Sequence, residues 1–184
     1  MAEEQRPTAH VVGFAGYSGS GKTTLVEQLV GHLRIAGKTV SVIKHAHHQF
    51  DIDYPGKDSW RHRKAGAHEV LVASAHLVAL QRESLEPVEH TVSGLLPMLQ
   101  AVDWVLVEGF KDAQIPKIEV WRPAAGKPVR YPADPQILAI ATDEPTQLPV
   151  PTAAALLDIN RPDTVADWLL SNESLFAFAH EQAR

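Results

Sequence analysis

Gly16, Tyr17, Ser18, Gly19, Ser20, Gly21, Lys22, Thr23 and Thr24 follow directly on the apolar run 11–15. A loop this rich in glycine can curl until successive N–H groups face one anion. A helix starting at Lys22 adds its positive end to the same place. The spacing Gly16-x-x-x-x-Gly21-Lys22-Thr23 fits the P-loop pattern without a mismatch. In that pattern the lysine reaches the β- and γ-phosphates and the threonine hydroxyl ligates magnesium. Gly16 through Thr24 are therefore the candidate phosphate-binding residues. Lys22 is the candidate catalytic cation, and Thr23 a candidate magnesium ligand.

A phosphate loop needs an acid near its metal. The run Asp103-Trp-Val-Leu-Val-Glu108-Gly109 reads as a buried strand ending in a carboxylate. Glu108 lies at the strand's C-terminal end, where ligands bind in open parallel sheets. It is the candidate second acid, able to hold magnesium or orient a water. Asp103 is at the far end of the strand. His45, His47 and His48, with Asp51 and Asp53, form a polar block after the second strand. Two readings stand side by side. The block is a switch-like loop touching phosphate, metal or substrate, with Asp53 a candidate magnesium ligand. Alternatively, its imidazoles bind a transition metal. The basic run Lys57, Arg61, Arg63 and Lys64 follows; it is either an anion-holding face or a solvated one.

Guanine presents N1–H and an exocyclic amine, so one carboxylate can accept from both, whereas adenine offers no such pair. Asp143 follows the strand ILAIAT and precedes Glu144-Pro145. It is the candidate base-reading acid, with a turn cap as the alternative role. Asn160 is a weaker candidate, and Lys111 a candidate to pack along the nucleoside.

These residues need a scaffold. Residues 11–15 read as a strand, 22–36 as an amphipathic helix ended by Gly37, and 39–44 as a second strand, giving a βαβ unit. A short helix is expected over 59–65, a hairpin over 69–83, and a helix over 91–102 despite Gly94 and Pro97. Strands follow at 103–108, 117–121, 137–141 and 154–158, with a Pro-rich loop at 122–136 and a closing helix from Thr164. The alternation predicts one α/β domain over 1–184 of the P-loop NTPase type, three-layered, with a mostly parallel sheet and a β-hairpin extension. Residues 1–9 read as a tail.

The 184 residues suffice for a full hydrophobic core, and 45% apolar content suits a globular chain. A net charge of −5 argues against a general nucleic-acid surface. There is no cysteine, hence no disulfide or thiolate metal site, as fits a reducing cytoplasm. No secretory signal or membrane-spanning run is expected.

Taken in order, the blocks GYSGSGKTTL, VIKHAHHQFDIDYPGKDSWRHRKAG, VLVAS, VLVEGFK, ILAIATDEP and LLDIN resemble the MobB family of molybdopterin-guanine dinucleotide biosynthesis adapters. The resemblance covers most of residues 11–160. It implies GTP and Mg²⁺ as ligands, at most slow GTPase activity, and a homodimer. It further implies partnership with a MobA-type molybdenum cofactor guanylyltransferase. Direct binding of molybdopterin or its guanine dinucleotide is a further expectation. Some related ATPases carry a lysine after the first loop glycine to reach across a dimer. Tyr17 stands there, so the hairpin edge is the expected dimer element. Two competing functions are a small-metabolite kinase, with Arg122 and Arg130 as lid arginines, and a metal-inserting GTPase using the histidine block.

Overall fold

The computed structural model describes residues 9–46, 50 and 52–178. They form two compact units: residues up to His45 together with those from Thr91 on, and the segment Ala46–His90 between them.

The first unit is built on a six-stranded parallel sheet. Its strands are β1 (His10–Ala15), β2 (Val40–Lys44), β5 (Trp104–Glu108), β6 (Lys117–Val120), β7 (Ile137–Thr142) and β8 (Ala155–Asp158), ordered β2-β5-β1-β6-β7-β8. The α/β reading of the sequence is correct, including the parallel sheet. One detail differs: β1 and β2 are not neighbours, because β5 slots between them. β5 is apolar up to its final glutamate and buried at every position, as a strand flanked on both sides must be.

Alternation along each strand divides the core. Val12 and Phe14 of β1 face α1 (Lys22–Ile35), which buries Leu25, Leu29 and Leu33. They also face α4 (Pro162–Ser171), which buries Val165, Ala166 and Leu169. Val11 faces the other way, with Ile43, Val105 and Val107, toward Val92 and Leu96. Val92 belongs to α3 (Val92–Leu95), which passes into a 3-10 turn at Leu96–Met98. The helix expected over 91–102 is therefore much shorter. Thr91 caps it through its hydroxyl to the Gly94 N–H at 3.1 Å, and Pro97, lacking an N–H, tightens the next turn instead of extending the helix.

The second unit contains α2 (Asp58–Lys64) and the hairpin of β3 (Glu69–Ala73) with β4 (Val78–Arg82). Arg82 pairs with Glu69 across the strands, and Arg63 reaches Glu83 at 2.6 Å. The hairpin expected over 69–83 is present, with Leu71, Val72, Val78 and Leu80 exposed.

A buried carboxylate fixes the Pro-rich segment at 122–136. Glu119 of β6 is fully buried and accepts from the Arg130 and Tyr131 N–H groups, each at 2.8 Å. Burial raises its carboxyl above the ordinary value, although both backbone bonds oppose this. The native state thus holds this proton more tightly than the unfolded chain. Its contribution to stability is full at low pH and falls as pH rises through the raised value. Glu119→Ala should remove that slope from the pH–stability profile. It should also cost roughly 2–4 kcal/mol in urea unfolding at acidic pH, because two buried N–H groups lose their acceptor.

Candidate nucleotide-binding site

All strands of the six-stranded sheet point their C-terminal ends to one edge, and the loops leaving that edge carry the candidate residues. β1 stops at Ala15 and the chain turns at once. Gly16 has φ +137°, and a Cβ there would stand 2.4 Å from the Val120 carbonyl oxygen, so only glycine lets the loop leave this close to β6. Gly21, with φ +97°, stands directly ahead of α1.

Lys22 folds back over this loop. Its ammonium donates to the Tyr17 carbonyl at 2.7 Å and to the Ser20 hydroxyl at 3.5 Å. Desolvation holds it below the ordinary lysine value; the Glu108 charge opposes this, and the Lys44 charge adds to it. The Thr23 hydroxyl donates to Glu108 Oε1 at 2.6 Å, joining the head of α1 to the end of β5. Lys44 Nζ lies 3.2 and 3.4 Å from the two Glu108 oxygens. Strand register produces this cluster, since Glu108 pairs with Lys44 on one side and with Phe14 on the other. Lys44 was not among the sequence candidates. Its signal was its place at the end of TVSVIK, at the same sheet edge as Glu108.

After Glu108 the backbone is forced. Gly109 has φ +92°, and a Cβ there would meet His45 Cβ at 2.7 Å. Phe110, at φ 41°, is the one described non-glycine residue with positive φ, and its ring lies 4.7 Å from that of His45.

A second region lies beside the loop. A cavity of about 300 Å³ is lined by Gly21, Thr24, Gln28, Arg122 and Asn160, with Leu25 and Ile159 as its apolar wall. Arg122 Nε is 3.5 Å from Asp143 Oδ2, and its Nη2 donates to Asn160 Oδ1 at 3.4 Å. The Glu144 N–H donates to the buried Thr142 hydroxyl at 3.2 Å, and the Ile159 N–H to the Thr142 carbonyl at 3.2 Å. These bonds hold the turns after β7 and β8 together. Asp143 is thus joined to the cavity through Arg122, while Asn160 lines it directly.

The remaining candidates do not line this cavity. Lys111 is exposed in the turn after Phe110 and does not line the cavity. Arg130, read as a lid arginine, pairs with Asp112 at 2.8 Å. Asp53 belongs to the second unit, where it accepts from the Ser59 hydroxyl at 2.9 Å. His47, His48 and Asp51 lie outside the described residues. Among those described, no three His, Asp or Glu side chains gather to hold a metal.

Residues 11–143 match the family model described as molybdopterin guanine dinucleotide synthesis protein B, MobB. The chain belongs to the MobB family. Among similar MobB-family sequences is the Haemophilus influenzae protein named molybdopterin-guanine dinucleotide biosynthesis adapter protein. It is 42% identical over 159 residues, covering 86% of each chain. The Escherichia coli protein of the same name is 40% identical over 87% of this chain and 91% of its own. The crystal structure of Bacillus subtilis MobB superposes with a TM-score of 0.67 at 25% identity, covering 88% of this chain and 96% of that one. The region matched by the family model runs from β1 to Asp143, so it takes in the phosphate loop, Lys44, Glu108 and Arg122. It stops short of Asn160.

The turn after β5 offers a direct test of positioning. Gly109→Ala combines an unfavourable φ with a collision against His45. It should lower stability by roughly 1–3 kcal/mol in chemical denaturation, whereas alanine at Gly19, which has open space around it, should cost less.

Proposed function

We propose that this chain is a GTP-binding adapter with weak GTPase activity that assists molybdopterin-guanine dinucleotide formation, a stage of molybdenum cofactor biosynthesis. The observation that carries the reading is the Thr23–Glu108 contact at the head of α1, in a chain of the MobB family. A hydroxyl and a carboxylate 2.6 Å apart, beside a lysine-bearing phosphate loop, are hard oxygen donors of the kind magnesium takes. Thr23 and Glu108 would hold Mg²⁺. The bound ion would neutralise charge on the β- and γ-phosphates. The loop's N–H groups and Lys22 bind those phosphates, and Glu108 orients a water. Asp143 accepts from N1–H and the exocyclic amine of guanine.

The name of its relatives, adapter proteins of molybdopterin-guanine dinucleotide biosynthesis, supports a partner in that pathway, and in this reading the partner is a MobA-type guanylyltransferase. Molybdopterin or its dinucleotide is a further ligand in this reading. The exposed apolar residues of the β3–β4 hairpin support pairing with a second copy, which gives a homodimer. We place the protein in the cytoplasm, where GTP is available. The kinase reading is weaker, because Arg130, one of its two lid arginines, is held by Asp112 at 2.8 Å.

Calorimetric titration with Mg²⁺ should show binding of GTP and little of ATP. Asp143→Asn should weaken GTP roughly 10- to 100-fold and improve binding of xanthosine triphosphate, whose C2 carbonyl suits an amide donor. ATP binding as tight as GTP would overturn the guanine reading and make a phosphate-acceptor screen the next experiment. In single-turnover assays the protein alone should hydrolyse GTP well below about 1 per second, since no arginine among the described residues is committed to the γ-phosphate. A faster rate would refute the adapter reading.

A further inference from the structure

The cavity beside the phosphate loop contains a feature that the proposed role of Asp143 does not explain. Its volume, about 300 Å³, is at the small end for ligand pockets. Gly21 and Thr24 form part of its wall. A nucleoside whose phosphates occupy the loop would therefore enter it. Arg122 faces this space, but its own bonds are loose. Asp143 is 3.5 Å away and Asn160 3.4 Å, although a guanidinium carries five N–H donors in a rigid plane. Arg122 Nε is buried without a hydrogen-bond partner among the described residues, and so is Asp143 Oδ1. Buried polar atoms without partners are few in native proteins and each needs a reason. One of them is on Arg122 at the wall of the cavity and the other on Asp143 behind it, and together they mark a place prepared for a ligand.

We infer that Arg122 is a specificity-determining residue that reads the O6 and N7 edge of the guanine base, with Asp143 and Asn160 positioning its guanidinium. This rests on the guanine-nucleotide reading above. Guanine presents two acceptors on that edge, which an arginine fork meets with two bonds. Adenine replaces O6 with an amine, turning N–H groups toward the guanidinium. Lysine, a compact point charge, cannot reproduce the fork. The contact is chemically separate from that of Asp143, because the two side chains address different edges of the base. Asp143 Oδ1, the atom without a partner, remains available for the N1–H side.

The test is calorimetry on the full chain with Mg²⁺, comparing GTP, 7-deaza-GTP, inosine triphosphate and ATP. The 7-deaza analogue loses only the N7 acceptor; the inosine nucleotide loses only the exocyclic amine. On the native protein, 7-deaza-GTP should bind roughly fivefold more weakly than GTP. Arg122→Met should bind the two equally, while inosine triphosphate stays weaker than GTP in both proteins. Equal binding of 7-deaza-GTP and GTP by the native protein overturns the inference, and this comparison needs no variant to fold. If inosine triphosphate and ATP are still disfavoured, the Asp143 reading stands without Arg122. If ATP binds as tightly as GTP, both fall. Equal losses of GTP and ATP in Arg122→Met, with no 7-deaza effect, would make Arg122 a phosphate clamp and overturn base reading.

Discussion

The site depends on where one carboxylate is held. Glu108 is largely buried at the end of β5, and a buried charge is costly unless it is paired and hydrogen-bonded. Two contacts meet that requirement: the Thr23 hydroxyl at 2.6 Å and the Lys44 ammonium at 3.2 Å. Each comes from a different element, α1 and β2, so the anion ties three pieces of the chain to one point. It also moderates the positive charge of Lys22, which would otherwise face only desolvation and the repulsion of Lys44. The phosphate loop is therefore an arrangement of charges as well as of backbone N–H groups, and Glu108 balances its cations.

Further along the same sheet edge, less direct contacts do the positioning. Glu119 anchors the segment after β6 by accepting two backbone N–H groups. Thr142 links the turn after β7 to the turn after β8 through its carbonyl and hydroxyl. These contacts place Arg122, Asp143 and Asn160 within reach of one another, although they come from the ends of three different strands. Parallel strands make this gathering natural, because every loop at one edge leaves a strand in the same direction.

Much of this was legible in the residues alone. Gly16, Gly21, Lys22 and Thr23 announce their role because the chemistry is local: glycine conformations, a helix start and a short lysine reach. Glu108 was legible because an apolar strand that ends in an acid leaves that acid at the edge where ligands gather. Lys44 was not, since its value comes from lying in register with Glu108, and that register exists only because β5 inserts beside β2. Arg122 was read as a lid arginine, for the same reason: its partners are 21 and 38 residues away along the chain. The helix expected over 91–102 stops early for a local reason, the missing N–H of Pro97. Tertiary pairing, unlike loop chemistry, leaves little trace in spacing.

The strand order also governs how the molecule can assemble. β1, α1 and β2 leave the ribosome before β5, yet β1 and β2 never pair with each other; the strand that joins them is β5, some sixty residues later. Until Glu108 has been made, the nascent chain holds a phosphate loop without its acid and two strands with open edges. Long-range parallel pairing of this kind is slow and leaves sticky intermediates exposed. Pairing of β5 and assembly of the phosphate site are then one event: a chain that has paired β5 has also brought Glu108 to Thr23, and one that has not has neither.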